Sequence, residues 1–592
     1  MLNEKKRKLA LSFFMAYPFM LYIFILIAPY TDSFSRLIYE SANMSMRPIY
    51  SDNTIEVCVL GTVIYVLAAI TIVGSLKNYR NKEEYGSSKL IPAYVLNKIL
   101  ACKDKLNNIR LTENIMLGLD YIRHQLNLNI MIFGGSGAGK TRGFIIPNLL
   151  LGNSSFVITD PKGEILYKIG KFLLKIKGYD IRILDLKNHE KSMCYNPFAY
   201  FRDDDDILKF VDGAWEAMSD KKAVRGEDIW REQAKAVLMS IMMYLHHYAP
   251  PEEQNFETVM KLLQEIKVSE GMKQETSAID VLFNLLSPDD PCYGYYKTWS
   301  AAKGRTLGSI MATLMAKMTV FNLESLRKLT YCDELKLNEL GTKKVALFCI
   351  TPDNNSSYNF LAGTMYTQLI QQLYDYADNV CHGPLPVPVR FLMDEFANIA
   401  LPDDYEKILS TARSRNISFV IVLQNKQQIE ALYEKVYQSM MDNCNTFLFL
   451  GSNEIETCKY FSDLLGDETV VVRTYSKTFG LKGNVTRNET KAARKLMTPD
   501  EIKRLSNKKA IVFVRGLDAV VDNKIKLKKC INYKYLADGR RTKVNGFEWG
   551  QTNYASGSME LVTSKNAGKI QPLPVISSAV LLDDEDIKKL AA

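Results

Sequence analysis

Two uncharged runs stand near the start of the chain, Leu11–Tyr30 and Val57–Leu76. About 20 apolar residues is the length a helix needs to cross bilayer hydrocarbon. Lys5, Lys6, Arg7 and Lys8 precede the first run, and Lys77, Arg80 and Lys82 follow the second. The stretch between them carries Asp32, Arg36, Glu40, Arg47 and Asp52. Lys and Arg are therefore denser outside the pair than within it, which puts both chain ends in the cytoplasm and a short loop outside. Pro18 and Pro29 lie in or at the edge of the first span, where neighbouring helices tolerate them. The basic start also suits a cleaved signal peptide, but no small-residue cleavage site follows and a second span comes soon after.

Beyond a mixed, polar stretch the pattern changes at Leu128. Short apolar runs at 128–133, 156–160 and 181–185 read as buried strands separated by helical stretches, the first such helix from Phe144 to Leu151. Similar runs return at 344–351, 389–393, 417–423, 446–450 and 510–514. Strands alternating with helices predict a parallel sheet covered on both faces, the α/β class. Between the two sets, Trp230–Tyr248 and Ile310–Phe321 are long and helical in period, so a helical insertion is expected there. Its acidic run Asp203–Asp206 reads as a solvated helix start. The resulting division is 1–80 for the anchor, 81–200 and 336–535 for a split nucleotide-binding domain, 201–335 for the insertion and 536–592 for a tail. The tail loses periodicity and ends in Asp583-Asp584-Glu585-Asp586, a mobile or interacting segment. No internal repeat is evident.

Composition changes this picture little. The 592 residues are 47% hydrophobic with a net charge of +9, which permits an anionic partner without proving one. Ten cysteines are scattered, with no CxxC pair, as in a reduced cytosolic body. Of five histidines only His246 and His247 are adjacent; no acidic or thiol group stands at ligand spacing, so no zinc site is expected.

Chemistry enters with Gly134-Gly135-Ser136-Gly137-Ala138-Gly139-Lys140-Thr141, which fits the P-loop pattern with a strand before and a helix after. Its glycines let backbone N–H groups curl round phosphate oxygens, and the helix start adds positive partial charge. Lys140 would neutralise the β- and γ-phosphates of ATP, and Thr141 would place its hydroxyl on Mg²⁺. Phe391-Leu392-Met393-Asp394-Glu395 supplies the acids such a loop needs at a strand's carboxyl end. Asp394 would hold Mg²⁺ through water, and Glu395 would polarise the attacking water as general base. Arg413 and Arg415 precede the strand that ends at Gln424. An arginine there could reach a neighbouring subunit's γ-phosphate, and the glutamine could sense it; by spacing alone, surface arginines are as good a reading.

Together these residues resemble the coupling proteins of conjugative type IV secretion systems, the TraG/TraD group. The two spans match that family's anchor, and Tyr85-Gly86-Ser87-Ser88 is similar to its Gly-Ser-Ala element, with Ser88 replacing the alanine. Thr159-Asp160-Pro161-Lys162-Gly163-Glu164 resembles a family signature; its bland reading is a strand-to-helix turn. Asn196-Pro197-Phe198, Asp228-Ile229-Trp230 with Ala234, Asp394-Glu395-Phe396 and the late stretch Arg494–Ile502 also match family elements. In the resemblance Arg413 is the trans-acting finger and Gln424 the sensor. It implies a RecA-like motor with an all-α domain that helps recognise substrate. It further implies a homo-hexamer in the bacterial plasma membrane. That hexamer would bind DNA, single- or double-stranded, without sequence preference. It would receive a relaxase–DNA complex and feed it to the secretion channel subunits. Two other readings compete. A double-stranded DNA translocase of the chromosome-segregation type would normally show more spans, a long linker and a winged-helix module. A passive receptor that binds nucleotide without hydrolysing it would lack Lys140 or Glu395.

Overall fold

The computed structural model describes residues 2–31, 47–75, 83–218, 228–268, 277–352, 357–399, 401, 405–477, 485–538, 542 and 544–549. Most of the loop between the spans, the flanking Lys77, Arg80 and Lys82, and the acidic Asp583–Asp586 lie outside these residues. The chain divides into two compact units, 1–87 with 467–494, and 88–466 with 495–592.

The larger unit is built on a nine-stranded sheet. A small ladder, β1 (Asn108–Arg110) with β2 (Met116–Gly118), precedes it. The sheet's strands are β3 (Ile130–Phe133), β4 (Ser155–Thr159), β5 (Asp180–Asp185), β6 (Val345–Ile350), β7 (Val389–Met393), β8 (Ile417–Leu423) and β9 (Thr446–Phe449). After β10 (Asp467–Lys477) and β11 (Val485–Lys495), which form a separate two-stranded sheet, β12 (Lys509–Val514) and β13 (Val520–Asn523) complete it. The order is β13-β12-β9-β3-β8-β7-β4-β6-β5. Every pairing from β9 to β5 is parallel, as continuous apolar runs require when helices cover both faces. Successive residues of β3 serve opposite layers: Met131 and Phe133 join one core, Ile130 and Ile132 the other.

The expectation of a purely parallel sheet is corrected at one edge. β12 runs antiparallel to both β9 and β13, and β13 was not foreseen. Its four residues follow a turn over 515–519, too short for the crossover a parallel strand needs. Gly516, at φ +79°, supplies the left-handed residue of that turn.

Between β5 and β6 the described residues form helices and no strand. The principal ones are Asp204–Ala217, Asp228–Tyr248, Phe256–Gln264, Pro291–Ser300 and Arg305–Met318. Their cores are aromatic: Phe256 stacks on Phe321 at 4.3 Å, and the Trp299 indole N–H donates to Ser240 Oγ at 3.0 Å. The acidic run is only partly solvated. Asp203 caps its helix through the Asp206 N–H at 2.9 Å, while Asp206 is buried and accepts two guanidinium N–H bonds from Arg202.

The tail expected from residue 536 is docked where it is described. The Ala537 and Phe547 N–H groups donate to the Lys168 and Tyr167 carbonyls on the Glu164–Lys175 helix. The Phe547 ring lies where a Cβ on Gly170 would fall, which explains that glycine.

In the smaller unit, the helical stretches Lys6–Tyr30 and Thr54–Ser75 are long and apolar enough to span a membrane. The Tyr65 hydroxyl donates to the Phe13 carbonyl at 2.8 Å, and a Cβ on Gly61 would meet the Phe24 ring at 2.8 Å. Small residues at such contacts let helices approach closely. In the same unit the Tyr85 and Gly86 N–H groups donate to Thr469 Oγ1, and a Cβ on Gly86 would fall 2.2 Å from the Asp467 carbonyl. That glycine is there because backbone approaches backbone.

Candidate functional site

The glycine-rich loop leaves β3 at the sheet's centre. The Gly134 N–H donates to the Leu423 carbonyl and the Gly135 N–H to Gly451, each at 3.0 Å, so the two neighbouring strands hold its entry. Gly137 and Gly139 adopt φ +74° and +92° with open space around them; conformation, not crowding, demands glycine there. The chain then enters a wide turn over Thr141–Ile145 that continues into the Ile146–Leu149 helix. The helical region thus starts before the expected Phe144, because the loop itself winds into it.

Parallel strands deliver the acids to the same edge. β7 ends at Met393, and Asp394 follows, nearly buried at 6% exposure. The Thr141 hydroxyl donates to Asp394 Oδ2 at 2.6 Å, while buried Oδ1 has no hydrogen-bond partner. Burial raises the Asp394 pKa; Thr141, Lys140 and Lys162 oppose this. Desolvation lowers the Lys140 pKa, against the attraction of Asp394 and Glu395. Glu395 sits at φ +58°, a conformation that costs a non-glycine residue about 1–3 kcal/mol and that occurs at functional sites. Gln424 directly follows β8 on this edge, exposed, beside the loop's first residue.

The Asp160–Glu164 element lies there too. β4 pairs with β7, Thr159 opposite Met393, so Asp160 adjoins Asp394. Asp160 accepts the Leu166 N–H at 2.9 Å and closes the start of the Glu164–Lys175 helix, with Gly163 at φ +70°. Burial, opposed by backbone amides and helped by the Asp394 charge, pushes the Asp160 pKa up to about 6. The turn is therefore structural, and it also brings Lys162 to the acids.

Two supports carried no sequence signal. Lys524 Nζ donates to the Ala138 carbonyl at 2.8 Å and to Leu450 at 2.6 Å, holding the loop from beneath. Arg142, just past Thr141, makes a two-pronged pair with Asp538 at 3.0 Å per bond. Both partners lie more than 380 residues along the chain, beyond any local pattern.

Arg413 is not brought to this edge. It lies in the Ala412–Arg415 turn before β8, at the opposite end of the strand from Gln424. Seven strand residues at about 3.3 Å each put roughly 20 Å between them. Its guanidinium sits 5.3 Å over the Tyr121 ring, donates to the Tyr121 carbonyl at 3.4 Å and lines a cavity of about 510 Å³. Arg415 differs: Asp378 takes two of its N–H groups at 2.8 and 2.6 Å, and its guanidinium stacks on Tyr374.

The donors at the carboxyl edge suit a hard divalent ion. Mg²⁺ takes one or two carboxylate oxygens beside phosphate and water. Asp394 Oδ1 is unpaired, and the Thr141 hydroxyl stands beside the same carboxylate. With the glycine cradle and Lys140, this arrangement can bind a nucleoside triphosphate and hold its metal.

Comparison with known proteins points the same way. A family model described as type IV secretory system conjugative DNA transfer matches residues 98–560, well over half of the chain. The Escherichia coli conjugal transfer protein TraG is 22% identical over 437 residues, covering 68% of this chain and 67% of its own. Protein VirD4 of Rhizobium radiobacter is 21% identical over 398 residues, 65% of this chain and 55% of its own. The chain thus matches between 55% and 67% of these relatives' length. Two solved structures share the fold, each covering 75% of this chain and 94% of theirs. The unbound coupling protein TrwBdeltaN70 gives a TM-score of 0.55 at 15% identity, and TrwB in complex with ADP and Mg²⁺ gives 0.54 at 14%. With a glycine cradle and its acids at one edge of a mixed sheet, a helical insertion, and a match over most of its length, the chain belongs to the conjugative DNA transfer family of type IV secretion.

Proposed function

We propose that the chain is a membrane-anchored ATPase that couples ATP hydrolysis to passage of a relaxase–DNA complex through a type IV secretion channel. The observation that carries this reading is the Thr141–Asp394 contact at 2.6 Å beside an unpaired, buried Asp394 oxygen. A P-loop and a carboxylate from a distant strand are there placed to hold one ion, in a chain of the DNA-transfer family.

ATP is the substrate. The backbone N–H groups of Ser136, Gly137 and Gly139 cradle its phosphates, and Lys140 neutralises the β- and γ-oxygens. Mg²⁺, when bound, offsets the charge that develops on the transferring phosphoryl group. Thr141 and Asp394 would hold that ion in place. Glu395 accepts the proton of the attacking water, and Gln424 donates to the γ-phosphate at the loop's mouth. Arg413 serves a neighbouring subunit, since its own loop lies a strand-length away; this calls for a ring, and a hexamer suits the family. The Leu2–Ile27 and Thr54–Ser75 helices span the plasma membrane with the body in the cytoplasm. DNA is gripped through its backbone, so binding weakens with salt and ignores sequence.

The test joins two measurements. Lys140→Ala should abolish ATPase activity and mating transfer of the host element. Glu395→Gln should keep nucleotide affinity and lose about 10²–10⁴-fold in turnover. Unchanged transfer by Lys140→Ala overturns the reading.

A further inference from the structure

In the helical region, the end of the Asp228–Tyr248 helix meets the start of the Pro291–Ser300 helix. His247 lies in the last turn of the first. Asp290 caps the second, and Cys292 is its second residue. One ligand atom from each of His247, Asp290 and Cys292 lies within 4.8 Å of the others. Cys292 Sγ lies 3.7 Å from His247 Nδ1. Behind the ring, Asp204 Oδ1 stands 2.7 Å from His247 Nε2. A carboxylate there takes the Nε2 proton and leaves the Nδ1 lone pair facing the thiol. The Asp290 carboxylate is held by the Cys292 N–H at 2.7 Å and by the Tyr248 hydroxyl, and each oxygen keeps a further lone pair.

We propose that His247, Asp290 and Cys292 form a binding site for a thiophilic divalent cation of the zinc class, with Asp204 orienting the imidazole. A donor set of imidazole, thiolate and carboxylate selects zinc over magnesium or calcium. With metal–sulfur and metal–nitrogen bonds of about 2.3 and 2.0 Å, tetrahedral coordination sets sulfur and nitrogen about 3.5 Å apart. The 3.7 Å seen here needs almost no adjustment. Capping accounts for one oxygen of Asp290, but not for an imidazole locked with its free nitrogen toward a buried thiol. On coordination the thiol proton passes to water and the thiolate takes the metal. Three positions come from the chain, and water fills the fourth. The ion would staple two helix ends 45 residues apart in sequence. The absence of ligand spacing round His246 and His247 did not exclude a site, because the partners arrive from another helix.

The full-length chain in detergent, stripped with a chelator, is titrated with Co²⁺ as a spectroscopic stand-in and then with Zn²⁺. One equivalent should bind with a thiolate-to-cobalt charge-transfer band that Zn²⁺ removes. Cys292→Ser should abolish the band. His247→Gln, at an exposed position that tolerates exchange, should weaken binding at least about 10-fold, and Asp204→Asn about 10–100-fold, with ATPase activity retained. A band that survives Cys292→Ser places the metal on another cysteine and overturns the proposal. So does a failure of both metals to bind, which reduces the contact to a thiol–imidazole hydrogen bond.

Discussion

The two edges of the central sheet carry different candidate residues. At the carboxyl edge, Thr141, Asp160, Asp394, Glu395 and Gln424 converge from four strands that end side by side. At the amino edge, Arg413 rests on Tyr121 beside a cavity and touches none of them. Parallel strands enforce this split: whatever precedes a strand lies a strand-length from whatever follows it. The two arginines of one turn show how far the split goes. Arg415 is tied down by Asp378 and Tyr374, whereas among the described residues Arg413 makes no ion pair. On the proposed reading, a subunit supplies a nucleotide cradle at one edge and a finger for its neighbour at the other.

Mixing subunits tests the split between the edges directly. Arg413→Ala should cost about 10³–10⁵-fold in assembled ATPase activity, the usual worth of such a finger. Mixed with Lys140→Ala chains, it should regain part of that activity, because each lesion then meets an intact partner edge. No recovery in mixed rings would place Arg413 outside the trans site.

A smaller effect separates buried Asp160 from the half-buried Arg413. The folded pKa of Asp160, about 6, lies above its ordinary value of 3.8, so its contribution is greatest below about pH 4 and fades as pH rises through 6. Roughly two units correspond to about 3 kcal/mol lost across that window. Asp160→Asn should flatten the melting profile between about pH 4 and 6.5, and a profile parallel to wild type would contradict the assignment. The mildest change concerns the loop's support. Lys524→Met leaves the Ala138 and Leu450 carbonyls without their cation, which should cost about 1–3 kcal/mol and raise KM for ATP about 10-fold. An unaltered KM would mean the loop holds its shape unaided.

Much of the sheet was legible in advance because its strands are short apolar runs bounded by glycines and acids. All eight expected strands are present, each within two residues of its forecast start. β13 escaped because Val520–Asn523 is short, half polar and follows no helix. The late family stretch proved to be a capping box, with Thr498 and Glu501 exchanging side-chain and backbone bonds at the start of the Pro499–Lys503 helix. That pattern can be read from sequence; its docking beside Gly466, through the Leu496 N–H, cannot.

What the sequence determined by itself is local: a glycine loop that must curl, helices apolar all round, strands buried on both faces. Those follow from backbone sterics and hydrophobic period, which act over a few residues. The tertiary structure alone decided what those elements bring together. It set Thr141 on Asp394 and Lys524 under Ala138. It drew Arg142 to Asp538 and turned His247 toward Cys292. It also placed Arg413 away from its own loop. Such pairings depend on which strands lie side by side and which helix ends meet, and that order is set by the packing of the whole sheet and its covering helices.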